Sequence, residues 1–320
     1  MGYGRSDEIA HVARSSVRAS LPREEVFKQR VLNPEMNPFG VTFRESRDSA
    51  EHPNSLGVMF WIDETGSMRE IPENLAKHTL PRFVGDLMKV EPDAQVFFGA
   101  IGDATTGESS PLQVGQFESS DELMDKWLTA VHLVGQGGSN SGESYDLAIY
   151  FAARHTIMDC FEKRGRKGYF FMSGDEPHLQ SVKKREIKKL IGTDIPKDIP
   201  MAEIVRELKR TFHPFFLIPD PDRANRVERI WRELFGDNVI TLACPEDTGV
   251  VSAILIGLTE GHLEDMYAVK TKVENDFGRK GEERDRVLRA VEAYAVSVGR
   301  AGQGTRPASS GSRPYGNSRA

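Results

Sequence analysis

The stretch Leu56-Gly57-Val58-Met59-Phe60-Trp61-Ile62-Asp63, followed by Glu64-Thr65-Gly66-Ser67-Met68, decides the fold. Its first seven residues are apolar or small with no polar alternation, the pattern of a strand covered on both faces. The run ends on a carboxylate, and a tight loop carrying three more oxygen-bearing side chains follows.

Working toward the C-terminus, the same kind of strand recurs as AQVFFGAIGD (94–103), KGYFFMSGD (167–175), FHPFFLIPD (212–220) and NVITLAC (238–244). LQVGQF (112–117) is shorter and reads as a strand near a sheet edge. Helical spacing fills the intervals. Residues 71–90 form an apolar stripe that Pro81 should kink or divide. SSDELMDKWLTAV (119–131) reads as a capped helix, and RVERIWRELFG (226–236) as a helix stopped by Gly236. YDLAIYFAARHTIMDCFEK (145–163) reads as one long helix opened by a glycine-rich loop. Strands alternating with helices predict an α/β fold, a Rossmann-like and mostly parallel central sheet flanked by helices, with right-handed crossovers.

Toward the N-terminus, residues 1–55 are polar and mixed in charge, with a helix expected from Ser6 and a short strand in GVTFRES (40–46). They read as an extension that packs on the main domain or awaits a partner. The main domain is expected over 56–261. Over 262–300 a charged helical segment follows, with Val287, Leu288, Val291 and Val298 as its apolar face. The Gly/Ser/Pro/Arg stretch 301–320 reads as a disordered tail.

Composition narrows the function classes. A formal net charge of −6 argues against a bulk electrostatic nucleic-acid binder. The first twenty residues carry charges throughout, without the apolar core of a signal peptide. The longest apolar run, Val250 to Leu258, is too short to cross a bilayer. Cys160 and Cys244 sit in apolar surroundings and are expected to be buried free thiols of a reducing compartment, which implies a cytoplasmic location.

In an open α/β sheet, ligands bind beyond the carboxyl ends of the strands. Three such places carry unusual sets of oxygens: DETGSM (63–68), GGSNSGES (137–144) and SGDEP (173–177). Asp63, Thr65 and Ser67 are spaced i, i+2, i+4, with Gly66 to let the chain turn, so three oxygens can aim at one point. With Ser139 and Asp175 they make a hard-oxygen set suited to Mg2+ or Mn2+. The plainer readings are a capped turn for the first three, a helix cap for Ser139 and a loop cap for Asp175.

FWIDETGSM resembles the metal-ion-dependent adhesion site (MIDAS) of von Willebrand factor A (VWA) domains, whose signature is Asp-x-Ser/Thr-x-Ser after the first strand. GGSNSGES is similar to the family's Gly-Gly-Thr-x-Thr-Gly loop, with Ser for both Thr. FFMSGDEPH is similar to its strand ending in Thr-Asp-Gly-Glu, except that Gly174 here precedes Asp175. The resemblance covers roughly residues 56–260, in the family's order. It implies that Thr65, Ser67 and Ser139 coordinate the metal directly, while Asp63 and Asp175 hold it directly or through water. It also implies an open position for an Asp or Glu carboxylate of a protein partner. By family analogy that partner is an AAA+ ATPase or another member of an intracellular assembly, with no membrane and no nucleic acid involved.

Asp103 reads equally as a carboxylate behind the metal or as a turn residue. Asp220 and Asp222 read as turn residues, Lys183 to Lys189 as a solvated helix face, and Glu143 as a favourable charge at a helix start. The histidines lack zinc-ligand spacing. The competing enzymatic reading is a Mg2+-dependent phosphohydrolase with Asp63 as nucleophile. Thr65 stands where the loop of HAD phosphatases places a second Asp, which argues against it.

Overall fold

The computed structural model describes residues 16–18, 20–68, 70–133 and 143–302. Its centre is a six-stranded sheet built on β2 (Leu56–Asp63), every residue of which is buried. β1 (Arg44–Ser46) lies outside this sheet. The others are β3 (Ala94–Ile101), β4 (Leu112–Val114), β6 (Gly168–Ser173), β7 (Phe212–Ile218) and β8 (Val239–Thr241), in the spatial order β8-β7-β6-β2-β3-β4. All neighbours are parallel except the short edge strand β4, which runs antiparallel to β3. The Rossmann-like α/β expectation therefore holds, with the predicted edge strand in place.

The strand order sets where a site can form. From β2 the chain crosses to β3 on one side, whereas β6 pairs on the other side. Loops leaving β2 and β6 therefore diverge, opening a crevice at the carboxyl ends of these two strands, the switch point of a doubly wound sheet. The register sets Ile62 beside Ser173, so Asp63 and Asp175 leave the sheet as neighbours.

The two faces are sealed by aromatic residues of alternating direction along β2. Phe60 packs on Phe171 at 6.1 Å and on Phe83 at 5.8 Å, the latter from α1 (Leu80–Met88). Trp61 faces the other way, 5.1 Å from Phe97 and 6.3 Å from Phe151, the latter from α3 (Tyr145–Arg154). Gly99 leaves room for that indole, since a Cβ there would lie 2.5 Å from the Trp61 ring. The kink expected near Pro81 is a π turn over Leu75–Thr79, with Pro81 in the first turn of α1. Ser120 caps α2 (Asp121–Thr129), accepting from Leu123 N–H.

Two expectations are corrected. Residues 145–163 are not one helix: α3 ends at Arg154, β5 (Thr156–Met158) follows, and α4 (Asp159–Arg164) begins after it. The β-branched pair Thr156-Ile157 suits a strand, and β1 of the N-terminal segment pairs with it in parallel. The apolar face of the last helix is also different. In α10 (Glu282–Ser297) the buried residues are Val287, Val291, Tyr294 and Ala295. Leu288 is only half-buried, and Val298, just past the helix end, is exposed. Tyr294 enters the core because its ring meets Phe215 at 5.2 Å while its hydroxyl reaches Thr259 Oγ1 at 2.7 Å.

Further helices are α5 (Lys184–Leu190), α6 (Met201–Thr211), α7 (Pro221–Phe235), α8 (Thr248–Glu260) and α9 (Met266–Asn275). Gly236 ends α7 with a φ of 62°, as the sequence implied. Among the described residues no helix is long and apolar enough to cross a membrane. Both cysteines are free, but only Cys160 is buried; Cys244 is half-buried, its thiol 3.3 Å from Asp247 Oδ2.

Candidate metal centre

Asp63 closes β2 and is wholly buried. Its Oδ1 accepts from the amide of Thr65 at 2.9 Å and from the Thr65 hydroxyl at 2.6 Å, so the loop folds back on its own carboxylate. Thr65 Oγ1 lies 3.1 Å from Ser67 Oγ, and Ser67 Oγ donates to Asp175 Oδ1 at 2.9 Å. Four side chains from two loops thus form one continuous path of oxygen contacts across the switch point. The i, i+2, i+4 spacing brings Asp63, Thr65 and Ser67 into successive contact. Ser139 lies in 134–142, outside the described residues, as do residues 303–320 and residues 6–15 of the helix expected from Ser6, whose residues 16–18 are helical.

Two partners were not legible in the sequence. The hydroxyl of Tyr145, at the start of α3, donates to Asp63 Oδ2. The ring is fixed edge-on by Phe216 at 5.7 Å and Trp231 at 5.4 Å, while the Trp231 indole donates to the Glu176 carbonyl at 3.0 Å. Gly174 has its reason here: a Cβ at 174 would lie 2.8 Å from Tyr145 Cε1. A glycine directly before Asp175 is therefore what lets the phenol reach Asp63. The second partner is Arg223 in the first turn of α7, whose Nη1 is ion-paired with Asp175 Oδ2.

The surroundings are strongly acidic and dry. Asp63, Asp103, Glu143, Asp175 and Glu176 are all buried. Burial raises Asp63 to about 6, against the pull of the Thr65 and Tyr145 hydrogen bonds. Burial, then the charges of Asp63, Asp103, Glu176 and Glu108, raise Glu143 to about 8. Among the described residues neither carboxylate oxygen of Glu143 has a hydrogen-bond partner, nor has Asp103 Oδ2. Glu143 is thus not the first residue of a helix, as the sequence suggested. It precedes α3 and forms a backbone bridge to His178, leaving its side chain buried and unmatched. Asp103 does serve as a turn residue, its Oδ1 accepting from Thr105 N–H at 2.8 Å, while its other oxygen stays unpartnered. Asp220 caps α7, as its turn reading implied, accepting from Asp222 N–H at 3.0 Å.

This donor set fits a hard divalent cation. The converging atoms are carboxylate and hydroxyl oxygens, and a cation here would favour the ionised form of the carboxyl groups buried nearby. Among the described residues no three His, Cys, Asp or Glu side chains converge on one point, so a cation here would depend on hydroxyl oxygens as well. No sulfur or imidazole lies among the contacts that link Asp63 to Asp175.

No protein-family model and no curated protein matches the chain. Among solved structures it is similar to proximal thread matrix protein 1 of the mussel byssus with a zinc-occupied MIDAS motif, at 9 % identity and a TM-score of 0.42, covering 63 % of this chain and 48 % of that one. It is similar to the SpRpn10 VWA domain at 9 % identity and a TM-score of 0.38, covering 62 % and 94 %. It is similar to a von Willebrand factor type A protein from Catenulispora acidiphila at 14 % identity and a TM-score of 0.38, covering 65 % and 43 %. The chain thus spans less than half of the mussel and Catenulispora proteins. These similarities are remote, and the Rossmann-like doubly wound fold is read from the chain's own strand order.

Proposed function

We propose that this chain is a metal-dependent protein-binding module. A divalent cation, Mg2+ or Mn2+ by the hardness of the donors, is held by Asp63, Thr65, Ser67 and Asp175 together with Ser139. When bound, it supplies an electrophilic position that takes a carboxylate from an Asp or Glu of a partner protein. The observation that carries this reading is the unbroken oxygen path from Asp63 to Asp175 across the switch point, set among the buried carboxyl groups of Asp103, Glu143 and Glu176. By the family resemblance, the partner is an AAA+ ATPase or another component of an intracellular assembly.

The chain's own residues have distinct tasks in this reading. Tyr145 and the Thr65 amide fix the Asp63 carboxylate, Ser67 ties the two loops together, and Gly174 keeps the phenol in place. The phosphohydrolase reading lacks its acid/base group, because Thr65 stands where that chemistry needs a second Asp.

Capture of partner proteins by the immobilised chain in Mn2+, in chelator, and with an Asp63→Ala/Ser67→Ala variant tests the function. Retention that chelator and the double substitution both abolish is expected. Retention indifferent to both would remove the metal from the interaction. Metal-dependent hydrolysis of a phosphate ester, lost in Asp63→Asn, would replace binding with catalysis.

A further inference from the structure

The candidate centre already holds a cation of the chain's own. Arg223 sets its Nη1 against Asp175 Oδ2, while the other oxygen of Asp175 accepts from Ser67 Oγ at 2.9 Å. Asp175 is 2 % exposed, so its charge is shielded from water and this guanidinium is the group that compensates it. Arg223 occupies the first turn of α7, where a positive charge opposes the helix dipole. Its position is therefore not explained by the helix that carries it, but by the carboxylate it faces.

We propose that Arg223 is an internal competitor for the metal: it neutralises Asp175 in the metal-free chain and is displaced when a divalent cation binds. This inference rests on the metal-site reading above. Guanidinium stays charged at all accessible pH values and binds carboxylate strongly. A divalent ion drawing on the same carboxylate brings two further positive charges close to it, in a site where water screens poorly. Asp175 cannot serve both cations fully, so apparent metal affinity falls by the fraction of molecules in which Arg223 already holds it.

The displaced side chain has a receiver. Arg223 Nε lies 3.6 Å from Asp220 Oδ2, on the residue that caps the same helix and is 36 % exposed. Arg223 thus keeps a carboxylate partner when it leaves Asp175. Metal binding would thereby be coupled to charge at the α7 N-terminus, on the same rim that a partner's carboxylate must approach.

The test compares wild type, Arg223→Gln and Arg223→Lys. Mn2+ affinity is read from the electron paramagnetic resonance of free Mn2+, and melting temperature is read with and without saturating Mn2+. Arg223→Gln is expected to bind Mn2+ at least about tenfold more tightly, a difference an equilibrium titration resolves readily. Its metal-free melting temperature should fall below that of wild type, and the gap should close in Mn2+. Arg223→Lys, which keeps the charge, should stay near wild type in both. Equal or weaker Mn2+ binding by the Gln variant, with wild type binding normally, would overturn the competitor and leave the metal site standing. So would a melting-temperature deficit of equal size with and without Mn2+. Absence of Mn2+ binding in all three proteins would remove the metal site and the competitor together.

Discussion

Two ends of the same sheet carry dense charge, and they handle it oppositely. At the end where β2 and β6 begin, Arg47 donates to Asp159 at 2.8 Å and to Glu45 at 2.7 Å, and Arg164 donates to Asp48 at 2.8 Å and to the Ser55 carbonyl. Each carboxylate there has a cation or an amide. Arg164 foremost holds Asp48 well below the usual carboxylate range. Burial alone would raise Asp159, but Lys163, the Asp48 amide and Arg47 outweigh it and keep it low. At the other end, where the same strands finish, burial raises Asp63 and Glu143 to about 6 and about 8. The first cluster is a clamp that fastens the N-terminal segment to α4. The second crowds five buried carboxyl groups, with Arg223 paired to Asp175, and there Asp63 and Glu143 are raised rather than lowered.

The largest expected effect probes the clamp. Asp159→Ala removes a buried acceptor from Arg47 and from the Asp48 amide, and should destabilise the chain by about 2–3 kcal/mol in chemical denaturation. A loss below about 0.5 kcal/mol would mean the clamp is ornamental. Lowering pH gives a second handle. Because the folded-state values of Asp48 and Asp159 are depressed, their contribution is full above the ordinary carboxylate range. It is lost as pH falls through and below that range.

Next in size is Gly174→Ala, which forces a methyl against Tyr145 and should cost about 2 kcal/mol. Combining it with Tyr145→Leu, which removes the obstructing ring tip, should cost less than the sum of the single changes. Strict additivity would show that Gly174 does not serve the phenol.

A smaller effect of opposite sign is expected at Glu143. Its raised value means the folded chain holds a proton that the unfolded chain releases, so stability falls as pH rises from about 4.5 to about 8. Glu143→Gln should stabilise the metal-free chain by about 1–2 kcal/mol at pH 8 and by less at pH 5. Destabilisation at both would place Glu143 among matched charges and erase the contrast between the two ends. The smallest effect is at the surface of α5. Lys183→Ala, which breaks an exposed pair with Asp198, should leave the melting temperature unchanged within error.

Much of this was legible in the chain. The uninterrupted apolar run of β2 announced a strand buried on both faces, and the oxygens at 63, 65 and 67 announced the loop that folds on Asp63. The break of 145–163 was not legible, because the strand at Thr156–Met158 exists only where β1 pairs with it, more than a hundred residues earlier. Tyr145 and Arg223 were hidden for the same kind of reason. Each acts through a side chain that meets its partner across sequence distance, and neither residue type marks a site by itself. Gly174 carried a signal in its displaced position relative to Asp175, but its meaning required the phenol beside it.

The central claim is that the oxygen path from Asp63 to Asp175 is a cation site. Calorimetric titration of Mn2+ into wild type and into a folded Asp63→Ala/Ser67→Ala variant tests it most directly. Saturable binding of one ion to wild type, absent from the variant, is the predicted result. Equal binding by both proteins would place the metal elsewhere and contradict the account.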